Sequence, residues 1–168
     1  MLLFDYTGGF VLLTGMGMND ILFMKQAIKR AKKASLRGEV PVGAIIVKDD
    51  RIISSGYNQR ERKHNALLHA EIIAINRACK KLRAWRLEDC TLYVTLEPCP
   101  MCAGAIINSR IKRVVFGGYD KKAGVLGSVF NISDYKFNHK YEVTGGVLAA
   151  ECTALLSDFF AELRKKHK

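Results

Sequence analysis

The sequence has only three prolines and one tryptophan in 168 residues, contains no internal repeat, and has no apolar run near the ~20 residues a membrane span requires. Its proline and glycine content fits neither a collagenous nor a low-complexity polymer. Residues 1–17, MLLFDYTGGFVLLTGMG, lack any Lys or Arg and hold one acid, Asp5, so the positively charged start of a secretory signal is missing. The five cysteines (Cys79, Cys90, Cys99, Cys102 and Cys152) are an odd number without secretory context. They imply a reducing compartment, the cytoplasm by default, where thiols bind metal or pack. Together these absences argue against a fibrous, largely disordered, exported or membrane-spanning chain.

What is present is a globular composition, 49% hydrophobic and 26% charged, with 27 Lys+Arg against 16 Asp+Glu, a difference of +11. At this length roughly 70% of the unfolded surface can be buried, so the core needs no cross-links. The basic field attracts polyanions, although composition alone fits a solvated basic surface equally well. Every basic residue lies beyond Met18. Met18 is therefore read as the natural start, residues 1–17 as a disordered or non-native extension, and 18–168 as a single domain.

From Asn19 or Asp20, either of which can cap a helix, Ile21, Met24, Ile28, Ala31 and Ser35 recur at helical spacing, and the helix is expected to close at Gly38. Val42–Val47 and Ile52–Gly56 read as a hairpin about the turn at residues 48–51. Asn58–Leu68 lacks either period and reads as loop. A second helix follows from His69 through Leu82, then a strand at Thr91–Thr95, a helix through Ala103–Asn108 after Pro98 and Pro100, and a strand at Arg113–Gly117. A strand at Tyr141–Thr144 and a long helix at Leu148–Lys166 complete the order. One sheet with helices on its faces follows: an α/β fold in three layers, α/β/α, around about five strands.

Two segments carry chemistry: His69-Ala70-Glu71 at one helix start and Pro98-Cys99-Pro100-Met101-Cys102 at another. Cysteines three apart in a first helical turn put both sulfurs on one side, and a helix N-terminus favours the thiolates that bind zinc. His69 supplies a third ligand. Residues 69 and 71 diverge on a mid-helix cylinder, so both serve one site only at the open first turn. Three ligands leave tetrahedral Zn²⁺ a fourth position for water, whose pKa falls toward neutrality, and Glu71 is placed to take its proton and pass it on. A structural zinc ribbon completed by Cys90 with His64 or Cys79 is the competing reading. It lacks a second closely spaced pair.

These two segments resemble the signature of the zinc-dependent nucleoside and nucleobase deaminases. Glu39–Ala44, Gly56–Asn58, Thr95–Ala105, Ser109–Gly117, Asn138-His139 and Glu151–Phe160 extend the resemblance to the tRNA-specific adenosine deaminase family over nearly all the chain after Met18. The resemblance implies a cytidine deaminase-like fold with a central mixed sheet and one Zn²⁺ per subunit. It also implies hydrolytic deamination of adenosine to inosine at the wobble position of a tRNA anticodon, with zinc-bound hydroxide attacking C6 and Glu71 shuttling the proton. It further implies a homodimer acting on an arginine tRNA. By resemblance Asn58 binds the flipped nucleoside, Ala70 offers its N–H to the base, and Asp120 and Asn138 lie near the RNA. For Asn58 a turn residue, and for Asp120 a loop cap, are alternative readings. Leu67-Leu68, Tyr119 and the N-terminal extension depart from the family pattern without removing a ligand.

The charge favours RNA over a free base or nucleoside, since an enzyme gripping a flipped-out nucleotide must hold the surrounding phosphates. Expected phosphate contacts are Arg110, Lys112, Lys121, Lys122 and the tail Arg164–Lys168; Phe159 and Phe160 are core or a stacking surface, with core expected for at least one. Cys79, Cys90 and Cys152 are assigned to packing. Two alternatives stay open: a small-molecule guanine or cytosine deaminase, and a non-catalytic zinc-stabilised RNA-binding module.

Overall fold

A computed structural model describes residues 18–166; the extension at 1–17 and the last two residues of the basic tail, His167 and Lys168, lie outside the described residues. Among the described residues five α-helices and five strands follow in the order α1 (Met18–Ser35), β1 (Gly43–Lys48), β2 (Arg51–Tyr57), α2 (Arg60–Lys63), α3 (Ala70–Leu82), β3 (Thr91–Leu96), α4 (Pro100–Asn108), β4 (Arg113–Gly118), β5 (Glu142–Thr144) and α5 (Ala149–Lys166). The strands form one sheet in the order β2-β1-β3-β4-β5. β1 runs antiparallel to both β2 and β3, whereas β3, β4 and β5 are mutually parallel, so the sheet is mixed, as expected.

The three layers follow from the period-two alternation of the strands. Ala44, Ile46, Leu92, Val94, Val114 and Phe116 face one way and pack against α3 and α4. Ile45, Val47, Tyr93 and Val115 face the other and pack against α1 and Cys152 of α5. Cys90 and Cys152 are buried in these two layers and Cys79 packs at the edge of the first. Because β3 and β4 run parallel, the connections that follow both strands emerge at one edge of the sheet, where ligands of open α/β sheets gather.

Several boundaries differ from the sequence reading, each for a local reason. Asp20 does not cap α1: it lies inside the first turn, 3% exposed, and accepts hydrogen bonds from Arg113 and the Tyr93 hydroxyl. The stretch expected to be loop contains α2, whose four residues are too few to show a period. The last helix begin-point moves to Ala149, since Leu148 has a left-handed φ of 53°. α4 starts at Pro100, because proline at the first helical position loses no hydrogen bond. Cys99 is therefore the cap of α4 and Cys102 lies within its first turn.

One close approach sets the site's position. Gly56 in β2 lies so near α3 that a Cβ there would overlap the carbonyl oxygen of Ala70. The absence of a side chain seats the start of α3 directly on the sheet.

Candidate metal and catalytic site

His69 and Cys99 occupy equivalent positions at the heads of α3 and α4: each is the extended residue before the first helical one, with φ and ψ of −71° and 155° and of −78° and 172°. Both helices point their positive ends at the same spot, which favours thiolate and carboxylate there. The Nδ1 of His69 lies 3.7 Å from the Cys99 sulfur and 3.5 Å from the Cys102 sulfur. A tetrahedral ion with bonds of about 2.3 Å to sulfur and about 2.0 Å to nitrogen separates such ligands by about 3.5 Å. All three ligand atoms lie within 4.8 Å of one another, and no other group of three or more His, Cys, Asp or Glu meets that spacing among the described residues. The donor set and its spacing therefore fit a zinc ion held by His69, Cys99 and Cys102, and the ribbon through Cys90, His64 or Cys79 is not formed.

The three side chains share their protons unequally. A hydrogen bond from the Cys102 thiol, and secondarily one from His69, hold Cys99 down to about 4 against the opposing effect of burial. The same shared bond and then burial push Cys102 up, and the bond to Cys99 raises His69. Glu71, 4% exposed, is pushed above its ordinary value mainly by desolvation, opposed first by a backbone hydrogen bond and then by the His69 charge. A carboxyl so raised takes up a proton more readily than a surface one, as a group that must accept and return one requires.

A cavity of about 210 Å³ opens beside these groups, lined among others by Asn58, His69, Ala70, Glu71, Cys99 and Asp120. Asn58 is buried, and its Oδ1 has no hydrogen-bond partner among the described residues. A buried acceptor left without a donor costs about 1–3 kcal/mol, so its retention at a cavity wall points to a ligand that donates to it. Ala70 is the first residue of α3, and the N–H groups of a first turn have no carbonyl within the helix to meet. Asp120 lines the cavity while its Oδ1 accepts from the N–H groups of Lys122 and Ala123 at 2.9 and 3.2 Å, so it is both a loop cap and a cavity wall. Asn138 lies apart: it is exposed in the loop before β5 and does not line the cavity.

Of the basic residues, Lys121 and Lys122 are exposed beside Asp120, Lys112 is exposed, and Arg164–Lys166 end α5 in solvent. Arg110 sits at the opposite end of α4, donating to the Ile107 carbonyl at 2.7 Å and lying over the Trp85 ring. Phe159 is half-buried and Phe160 is 40% exposed, so neither is fully core. Two buried carboxylates that hold segments of the cavity wall were not singled out in the sequence. Glu39, fully buried, accepts from the N–H groups of Glu61 and Arg62 and so pins α2, whose Arg60 lines the cavity. Glu97 does the same for the segment after β4. The available signal was an acid set inside an otherwise apolar run, Glu39 before Val40-Pro41-Val42 and Glu97 between Leu96 and Pro98.

Comparison with known proteins agrees with this geometry. The MafB19-like deaminase family model matches residues 18–164. A tRNA-specific adenosine deaminase of Bacillus subtilis (strain 168) is 54% identical over 150 residues, covering 89% of this chain and 93% of that protein. One from Haemophilus influenzae is 51% identical over 151 residues, covering 89% and 87%. A solved structure from biochemical and structural studies of A-to-I editing by tRNA:A34 deaminases at the wobble position of transfer RNA superposes with a TM-score of 0.77. It is 40% identical and covers 80% of this chain and 99% of that one.

Proposed function

The chain belongs to the MafB19-like deaminase family and, within it, to the tRNA-specific adenosine deaminases, and on that premise we propose that it hydrolyses adenosine to inosine at the wobble position of a tRNA anticodon. The observation that carries this reading is the clustering of His69, Cys99 and Cys102 beside one cavity, lined by His69, Cys99 and buried Glu71, whose wall holds the orphaned Oδ1 of Asn58.

His69, Cys99 and Cys102 would hold the zinc. When bound, it supplies the acidity that makes water a nucleophile near neutral pH. Glu71 accepts a proton from the attacking water and delivers it to the departing nitrogen, and burial keeps that carboxyl basic enough to do both. Asn58 orients the base through its unpaired acceptor, and the Ala70 N–H supplies a donor from the head of α3. Asp120 bounds the pocket on the far side. Asn138, on the exposed loop before β5, meets RNA beyond the pocket rather than the reacting base.

The proposal includes an arginine tRNA as substrate, a homodimer and one zinc per subunit, as the family resemblance implies, and a cytoplasmic setting, the default for an odd number of cysteines without secretory context. No helix among the described residues is long and apolar enough to cross a membrane. The test is incubation with an anticodon stem-loop carrying adenosine at the wobble position, scored for inosine, beside parallel assays on cytidine and free guanine. Inosine at that position with both controls unchanged is the expected result. Conversion of free guanine or cytidine with the RNA untouched overturns it.

A further inference from the structure

Glu97 is a buried carboxylate to which the chemistry above gives no task. It is 2% exposed, stands two residues before Cys99, and lines the cavity. Four donors converge on it, all from one segment. Oε1 accepts from the Leu126 N–H at 2.8 Å and the Ser128 N–H at 3.1 Å, while Oε2 accepts from the Asp120 N–H at 3.1 Å and from the Ser128 hydroxyl. No Lys or Arg pairs with it among the described residues. Gly124 sits over the carboxylate so closely that a Cβ would overlap it.

This arrangement has a direct consequence for Asp120. Its carboxylate is engaged in capping the turn at Lys122 and Ala123, so its place at the cavity is set by its backbone. That backbone is held by Glu97. The connection from β4 to β5 is long and carries only one 3-10 turn, Ile132–Asp134; its middle is held by the Val125 N–H on the Pro98 carbonyl at 3.1 Å and by burial of Val125 and Leu126 in the core, and it is Glu97 that reaches the Asp120 N–H at its start. Because Glu97 is joined through Pro98 to a metal ligand, whatever it holds is placed in register with the metal.

We propose that Glu97 is a positioning residue that fixes the 120–128 segment as the substrate-facing wall of the pocket, so that it governs binding of the RNA rather than the chemical step. This rests on the reading of the site as a tRNA deaminase in which Asp120 meets substrate. Glutamine is nearly the same size but would turn an amide N–H₂ toward groups that are themselves donors, and so releases part of the wall.

The test uses Glu97→Gln, with Ser128→Ala as a milder variant that removes only the hydroxyl contact. Zinc content, kcat and KM are measured on the anticodon stem-loop. The expected result is full zinc content, kcat within about threefold and KM raised about tenfold or more for Glu97→Gln, with a smaller rise for Ser128→Ala. Combined with Asp120→Ala, Glu97→Gln is expected to add nothing beyond the single Asp120→Ala effect. Loss of zinc, a fall in kcat at constant KM, or independent multiplication of the two effects overturns the proposal. Amide hydrogen exchange of the zinc-loaded protein separates this idea from the activity itself. Faster exchange confined to residues 120–128 in Glu97→Gln supports the wall even if the wild type proves inactive on RNA, and unchanged exchange there refutes it.

Discussion

Arg113 holds Asp20 with both arms of its guanidinium, Nη1 to Oδ1 at 2.8 Å and Nη2 to Oδ2 at 2.7 Å, tying the first turn of α1 to the start of β4. Asp20 also accepts from the Tyr93 hydroxyl at 2.8 Å, so one carboxylate gathers α1, β3 and β4. Asp20→Ala leaves a buried guanidinium edge and phenol without their acceptor and is expected to cost about 2–3 kcal/mol, discounted because Arg113 is partly exposed. A urea midpoint within error of wild type would contradict this.

Replacing Glu71 by Gln keeps the size of the side chain and removes the proton acceptor. Turnover is expected to fall by about 10²–10⁴-fold while the metal content stays at one per chain. Replacing Cys99 by Ala should do the opposite in order, losing metal first and thermal stability with it. Metal analysis of the two purified variants distinguishes them, and a metal-free Glu71→Gln protein would assign Glu71 to the ligand set.

Gly56→Ala places a methyl against the carbonyl oxygen of Ala70, the residue between His69 and Glu71. The expected cost is about 1–3 kcal/mol, and activity should fall with it because the head of α3 is displaced. Thermal melting read beside turnover checks both. A variant as stable and as active as wild type would show that α3 is not seated by this contact.

Burial pushes Cys152 from 9.0 up to about 12 and Tyr141 from 10.0 up to about 12. Both folded-state values lie above the unfolded ones, so the stability these groups carry is complete below pH 9 and is lost as pH rises from 9 toward 12, where the unfolded chain ionises first. Denaturant midpoints should decline across that window and decline less in Cys152→Ala. A midpoint independent of pH up to 11 would be inconsistent with these shifts.

The net charge of +11 and the exposed Lys121 and Lys122 beside the pocket lead to strong salt dependence. Affinity for the stem-loop is expected to drop about tenfold or more between about 50 and about 200 mM salt. Fluorescence anisotropy titrations measure this directly. A salt-independent affinity would remove the electrostatic part of recognition.

The elements with a period of their own were legible in the sequence: β1 and β3 as β-branched runs, α1 and α3 from their apolar spacing, and the heads of α3 and α4 from residues that bring their own chemistry. What stayed hidden depends on partners distant in the chain. Asp20 looks like a cap until Arg113, 93 residues later, arrives beside it. Glu97 reads as one acid in an apolar run because its donors come from Asp120, Leu126 and Ser128. α2 is four residues long and is held by Glu39 from 22 and 23 residues away, so no local pattern announces it.

His69, Cys99 and Cys102 ride on the heads of α3 and α4, which are bedded on the sheet, whereas Arg60 sits in the short α2 met by Glu39, Asp120 in a loop met by Glu97, and Asn58 just after β2 with its N–H on the Val42 carbonyl. Reactivity and recognition thus occupy separable parts of the molecule. A lineage built on this plan can change what it reads by rewriting residues 58–68 or 119–128 while leaving the hydrolytic machinery untouched.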